Sequence, residues 1–273
     1  MKKLICLLMA ALVVLAAVSC KKDDKTGDSE PEIPVPEEAV DLGIVMTRED
    51  GTTYKLYWAK SNLCETGFCA TPEDYGDYYA WGELEPYYAE GHIQDSPCEN
   101  WRVREDHPIT GYNLGSNKFR ISGDAADNVI FSRYNTKEIY GQVDDITELQ
   151  RGEKSGEPVD DVARAKLGGK WRMPTAAEWD ALRALSWIWT PQNGVNGRLI
   201  SADNGNSIFL PAAGCRLNAT RGDVNSNGYY WSSSLKTDNP VCAWYMRFYN
   251  AHVYEPLGVS RALGCSIRPV WEE

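Results

Sequence analysis

The segment Gly168-Gly169-Lys170-Trp171-Arg172-Met173-Pro174-Thr175-Ala176-Ala177-Glu178-Trp179 constrains the fold of this chain more than any other. Thr175 stands three residues before Glu178, the spacing at which a hydroxyl caps the N–H of the third helical residue while the carboxylate reaches back to the cap's own N–H. Pro174 lies just outside this start. Trp179, Leu182 and Leu185 then recur at helical spacing, so a helix of roughly three turns is expected to bury one face against a core. Upstream, Asp160 and Asp161 sit where acids suit the start of a short helix through Leu167, and Gly168 suits its left-handed stop. Two adjacent helix signals leave the rest of the chain to be explained by strands.

At the amino end, Lys2 and Lys3 precede fifteen apolar residues, Leu4 to Val18, followed by Ser19 and Cys20. That run is short for a membrane span of about 20 residues and reads as a signal peptide over residues 1–19. Leu15-Ala16-Ala17-Val18-Ser19-Cys20 resembles a bacterial lipobox, which implies cleavage before Cys20 and lipid attachment to it. From Lys21 to Glu38 the chain carries ten charged residues and three prolines with almost nothing apolar. Such a stretch does not fold alone; with Cys20 it makes a tether (20–38) of at most about 60 Å. Lys21-Lys22-Asp23-Asp24 is similar to the surface-export signal of Bacteroidetes-type lipoproteins. The expected location is the outer membrane, lipid-anchored and exposed at the cell surface, with membrane lipid as one partner.

Residues 39–273 then form one domain, about 235 residues, enough for a substantial core. The full chain carries 28 Lys and Arg against 39 Asp and Glu, a net charge of −11. Without residues 1–19, which hold two lysines and no acids, it becomes 26 − 39 = −13. An acidic chain without a basic cluster disfavours nucleic acid as a partner. Cys64, Cys69, Cys98, Cys215, Cys242 and Cys265 can pair outside the cytoplasm, in fifteen connectivities that sequence does not separate. Cys64 and Cys69 are a plausible local pair if a turn brings their Cα atoms within about 7 Å. With no CxxC pair and only His92, His107 and His252, zinc is disfavoured; no metal and no cofactor is expected.

Asp50-Gly51 is a hairpin signal, placing two strands between Val45 and Lys60. Tyr75 to Gly82 reads as an aromatic-rich strand or strand edge, and residues 86–159 as a long irregular insertion with short elements. Asn193-Gly194, Asn196-Gly197 and Asn204-Gly205 mark turns. Ser207–Pro211, Tyr229–Ser233, Ala243–Phe248 and Ser266–Val270 read as strands. Two helices beside antiparallel strands give an α+β fold class.

The ordered motifs Ala39 to Gly43, Pro72 to Glu83, Gly168 to Trp179, Asn206 to Gly214, Tyr230 to Ser234 and Arg268 to Val270 resemble the Fibrobacter succinogenes major paralogous domain, over nearly all of residues 39–270. More distantly, Arg172 to Thr175, Glu178-Trp179 and Gly264 to Arg268 are similar to the formylglycine-generating enzyme and sulfatase-modifying factor group. This resemblance implies a C-type lectin-like domain: two helices packed on short antiparallel strands, long loops on one face, and termini close together. It does not bring the catalysis with it, because that group uses a close cysteine pair late in the domain and here the close pair is Cys64 and Cys69. Nor does it bring calcium-dependent sugar binding, since Glu255-Pro256-Leu257 lacks the third ligand of that loop and no Trp-Asn-Asp follows.

Histidine is too scarce to assemble a nucleophilic site. Asp144-Asp145 reads as a solvated turn and Asp160-Asp161 as a helix start, rather than as glycosidase carboxylates. Arg221-Gly222-Asp223 matches an adhesion tripeptide but lies in a Gly/Asn-rich turn. The segment from Trp231 to Arg261 is richest in residues that make rigid amphipathic contacts. Strict alternation there buries Trp244, Met246 and Phe248 and exposes Tyr245, Arg247 and Tyr249. The expected ligand-binding residues are Tyr245, Arg247, Tyr249, Asn250, His252 and Tyr254. Together these readings describe a non-catalytic lipoprotein binding module for a protein or glycan; the alternatives are an extracytoplasmic enzyme of the formylglycine-generating type and an envelope or fimbrial assembly subunit.

Overall fold

The computed structural model describes residues 33–86, 117–123, 127–217 and 220–273. The signal, Cys20, Cys98, His92, His107, most of the tether and residues 87–116 and 124–126 of the insertion lie outside the described residues. The compact unit that carries the fold runs Val35–Glu273.

Asp50-Gly51 makes the first hairpin, between β1 (Ala39–Thr47) and β2 (Thr53–Ala59). Arg48 N donates to Thr52 O at 2.8 Å across the turn, and Gly51 sits at φ +83°, a conformation open to glycine. Further hairpins follow in chain order. β3 (Leu63–Cys64) pairs with β4 (Gly67–Phe68), and the Cys64–Cys69 disulfide closes that tip with Cα atoms 5.2 Å apart. β5 (Arg120–Ser122) pairs with β6 (Ile130–Phe131) inside the insertion.

The two expected helices are present and short. In α1 (Val162–Leu167) Asp161 caps Arg164 N, and Gly168 ends the helix at φ +66°. After β7 (Trp171–Arg172), α2 (Ala176–Arg183) starts on a complete capping box: Thr175 Oγ1 accepts from Glu178 N at 3.1 Å and Glu178 Oε2 accepts from Thr175 N at 2.7 Å. It ends after eight residues, before Leu185. The chain turns at once into β8 (Ser186–Gln192) and returns as β9 (Val195–Ser201) through Asn193-Gly194, both at positive φ, the signature of a two-residue hairpin turn. β10 (Ser207–Pro211) completes that sheet.

β11 (Cys215–Leu217) and β12 (Thr220–Gly222) form a two-stranded ribbon. β13 (Asn227–Leu235), β14 (Cys242–Tyr249) and β15 (Leu257–Ser260) make a three-stranded sheet, and β16 (Val270–Glu272) inserts between β2 and β7. Every pairing between these strands is antiparallel.

The described residues are therefore predominantly β: several small antiparallel sheets with two short helices. This corrects the α+β, C-type lectin-like expectation. The helix is shorter than the helical spacing implies, because Leu185 falls in the turn after α2 and the Trp187-Ile188-Trp189 run behind it is claimed by strand pairing. β8–β9 pairs over seven residues, and that tertiary ladder outweighs the local helical spacing. Tyr75–Gly82 is not a regular strand: Gly76 and Gly82 take positive φ, and the segment is tied in by Asp77 N to Leu63 O, a bridge from Tyr79 to Cys265, and Trp81 N to Arg261 O.

The β13–β14 hairpin has a core cluster on each face. Tyr229, Trp231, Ala243 and Tyr245 point into one core cluster with Tyr79 and Trp81. Tyr230, Met246 and Phe248 point into a second with Trp58, Trp179 and Ile200. Trp179 of α2 packs on Trp58 at 4.6 Å between ring centroids and on Tyr230 at 5.8 Å, and its indole N–H donates to Trp231 O at 3.1 Å.

Close packing across this sheet gives a first testable consequence. Gly228 stands opposite Phe248, and a Cβ added there would fall inside the Phe248 ring. Gly228→Ala is expected to lower stability by about 1–3 kcal/mol through overpacking. Gly222→Ala, which meets open space, is expected to stay within about 0.5 kcal/mol. Urea denaturation of the two variants checks the contrast; equal stabilities would contradict it.

Candidate functional site

β14 leaves the core as it runs toward Tyr249. Tyr245, Arg247 and Tyr249 share one face by alternation, as expected, but their exposure differs along the strand. Tyr245 is only 6% exposed. It stacks parallel to Tyr229 at 5.9 Å and meets Trp231 edge-on at 6.2 Å. The expected exposure of Tyr245 is thus corrected: alternation tells which face a residue takes, and here that face is covered by the first core cluster. Trp244 shows the reverse. It lies half-buried rather than buried, with Lys236 Nζ over its ring at 5.1 Å.

The other five expected residues come together. Phe248 bridges Val253, so the chain reverses through Tyr249 to His252, with Asn250 and His252 exposed at its tip. Tyr249 N donates to His252 O at 3.0 Å and Tyr254 N to Arg247 O at 3.0 Å. Those bonds fix three rings against one another: His252 meets Tyr254 edge-on at 4.4 Å, and Tyr249 lies 6.0 Å from Tyr254 and 6.5 Å from His252. The Tyr254 hydroxyl beside Tyr249 pushes that phenol above its ordinary range.

Arg247 is held beneath this cluster. Its guanidinium lies 5.3 Å from the Tyr229 ring centre and 5.4 Å from that of Tyr254, within cation–π range of both. Tyr229 is itself fixed, its hydroxyl donating to Asp223 Oδ2 at 2.5 Å. That bond also engages the acid of Arg221-Gly222-Asp223, whose first two residues belong to β12. Arg198 of β9 pins the loop from below, donating through Nη2 to Tyr249 O at 2.6 Å and Asn250 O at 3.1 Å, and through Nη1 to Trp187 O at 3.1 Å. Neither Arg198 nor Tyr229 was singled out from sequence. Arg198 lies among turn residues with no pattern to mark it, whereas Tyr229 could have been found as the cross-strand partner of Arg247 once the hairpin was paired.

Two clefts lie elsewhere. One, of about 620 Å³, is lined by Arg48, Tyr54, Glu148, Arg151, Arg172 and Glu272 among others. Burial pushes the Glu148 carboxyl up against the opposing charges of Arg151 and Arg172. The cleft floor is a closed ion network: Arg172 grips Glu178 with both terminal nitrogens and Glu272 through Nε at 3.0 Å, and Tyr54 Oη donates to Glu178 at 2.7 Å. The other, of about 570 Å³, runs between α2 and β15, lined by Asp180, Arg183, Lys236, Trp244, Glu255 and Pro256.

Three of the four acids in the Asp144-Asp145 and Asp160-Asp161 pairs are engaged structurally. Asp144 accepts from Tyr134 N, Asn135 N and Ile146 N; Asp160 accepts from Lys118, Arg133 and Tyr134 Oη; Asp161 accepts from Arg164 N and Met173 N. Among the described residues no three His, Cys, Asp or Glu side chains converge as a metal-holding group. Compared with known proteins, the chain matches no family model, no curated protein and no solved structure.

Proposed function

We propose that this protein is a lipid-anchored binding module of the bacterial cell surface that recognises a protein or glycan ligand through the patch Arg247, Tyr249, Asn250, His252 and Tyr254. The observation that carries the reading is the construction of that patch: three mutually packed rings over a cation fixed between Tyr229 and Tyr254, on a loop pinned by Arg198. Rings with polar tips, held in one geometry before a ligand arrives, lose little conformational freedom on binding. Cys20 and the charged tether supply the anchor in this reading.

The test compares the mature chain with a His252→Ala, Tyr254→Ala double variant on a printed oligosaccharide array and in cross-linking to an envelope protein fraction. Signals that bind the wild-type chain are expected to weaken at least about tenfold in the variant, the size of a binding hot spot. Undiminished binding by a folded variant would remove the patch from the mechanism. Arg198→Ala is expected to weaken the same signals while leaving the ring cluster's residues intact.

A further inference from the structure

The thiols of Cys215 and Cys265 are free in this structure, yet each adjoins one residue of the antiparallel bridge Arg216–Gly264. Arg216 N donates to Gly264 O at 2.8 Å and Gly264 N donates back to Arg216 O at 2.8 Å. A reciprocal pair of this kind is a hydrogen-bonded rung of an antiparallel ladder. One residue on from this isolated bridge, toward the start of β11, the antiparallel run of the two segments brings Cys215 beside Cys265. In an antiparallel ladder the position next to a hydrogen-bonded pair is a non-hydrogen-bonded one, in which Cα atoms stand about 4.5 Å apart with both side chains on one face. The bonds of Cys265 agree: its N–H and C=O both go to Tyr79 on the opposite flank, at 3.1 and 3.0 Å.

We propose that Cys215 and Cys265 form a cross-strand disulfide that joins β11 to the segment before β16. Disulfides need Cα atoms about 4.4–6.8 Å apart, and such a rung lies inside that window. Cys265 is fully buried in the first core cluster, and Cys215 packs against the same cluster. Cys242, the third described thiol, stands opposite Ser260 in another sheet, with Asn239 Nδ2 donating to its sulfur at 3.6 Å. Among the described thiols, the Arg216–Gly264 bridge therefore favours this pair.

Two S–H bonds break and one S–S bond forms, releasing two protons and two electrons. The electrons pass to a disulfide-bearing oxidant of the extracytoplasmic space, which is cleaved to two thiols by thiol–disulfide exchange. Burial pushes the Cys215 thiol up to about 11 and holds the Cys265 thiol well above its ordinary range. The attacking thiolate is scarce once both are enclosed, so the bond forms before the core closes and is shielded from reductants afterwards.

The experiment exports the full chain to an oxidising compartment, traps thiols with N-ethylmaleimide in denaturant, digests without reduction and maps the peptides by mass spectrometry. A peptide pair joined through Cys215 and Cys265 is the expected result. With Cys215→Ser, the maleimide label is expected on Cys265. Label on both Cys215 and Cys265 of the wild-type chain overturns the proposal, as does either of them joined to another cysteine.

Discussion

Arg172→Met is expected to destabilise the fold by about 3–5 kcal/mol, the cost of stranding buried charge when one partner of an ion pair is removed. Arg172 is 3% exposed and Glu178 is fully buried. The substitution leaves Glu178 with the Tyr54 hydroxyl and the Thr175 N–H but without its cation. Glu272 is less affected, since it is partly exposed and Arg48 Nη2 lies 3.4 Å away. Adding Glu178→Gln to Arg172→Met is expected to restore part of the loss, because Gln keeps the capping box without burying a charge.

The same pair sets a pH dependence. Burial acts to raise the Glu178 carboxyl, but the charge and hydrogen bonds of Arg172, with those of Thr175 and Tyr54, outweigh it and hold the group below its ordinary value of 4.5. In the wild type this contribution is complete above that ordinary value and is lost as pH falls through the lower folded value. In Arg172→Met, burial of Glu178 is left without the opposing cation, so acid relieves the variant rather than harming it. The stability gap is expected to narrow between pH 7 and pH 4 in urea titrations. A gap that widens, or is absent at pH 7, would contradict the account.

Arg268→Met is the second large effect, expected at about 3 kcal/mol or more from unpaired buried carbonyls. Arg268 is fully buried, and its recorded acceptors are all neutral: Nε donates to Asn62 Oδ1 at 2.8 Å, Nη1 to Ala59 O and Lys60 O at 2.9 Å, and Nη2 to Phe209 O at 2.8 Å. Burial pulls its guanidinium down to about 10. It persists because one planar fork satisfies the end of β2, the Asn62 turn and β10 together. Asn62 extends the hub, donating to Tyr75 O at 2.8 Å and Asp74 O at 3.2 Å. Lysine offers a point charge instead of a fork, so Arg268→Lys is expected to recover little of the loss. Wild-type denaturation midpoints for Arg268→Lys would show that charge, not geometry, holds the hub.

Signals that act within a few residues were legible in the chain: the Thr175–Glu178 box, the Asp161 cap, the Asp50-Gly51 turn, Asn193-Gly194, and the strand runs at Ser207 and Ala243. What failed depends on residues far away. The helical spacing of Trp179, Leu182 and Leu185 is real, yet Leu185 belongs to a turn because Ser186 onward pairs with β9. Alternation put Tyr245 on the correct face but carried no word of the core that covers it. Arg268 read as one polar position in a strand, since its four acceptors come from segments about 60 to 210 residues earlier. Of the proposed patch, the short loop from Arg247 to Tyr254 was readable, whereas its supports Arg198 and Tyr229 come from other strands.

β16 has a consequence for the order of events in making this protein. Trp58 of β2 is paired on one side with Val40 and on the other with Val270, and β7 reaches this sheet only through β16. Until Val270–Glu272 have emerged from the ribosome or the export channel, β2 presents a bare edge and β7 has no neighbour in the sheet. The sheet that opens the domain is finished only when translation of the domain is complete, which favours slow, post-synthetic closure over stepwise folding from the amino end. A chain ending before Val270 would keep nearly all of its core side chains and still expose an aggregation-prone strand edge.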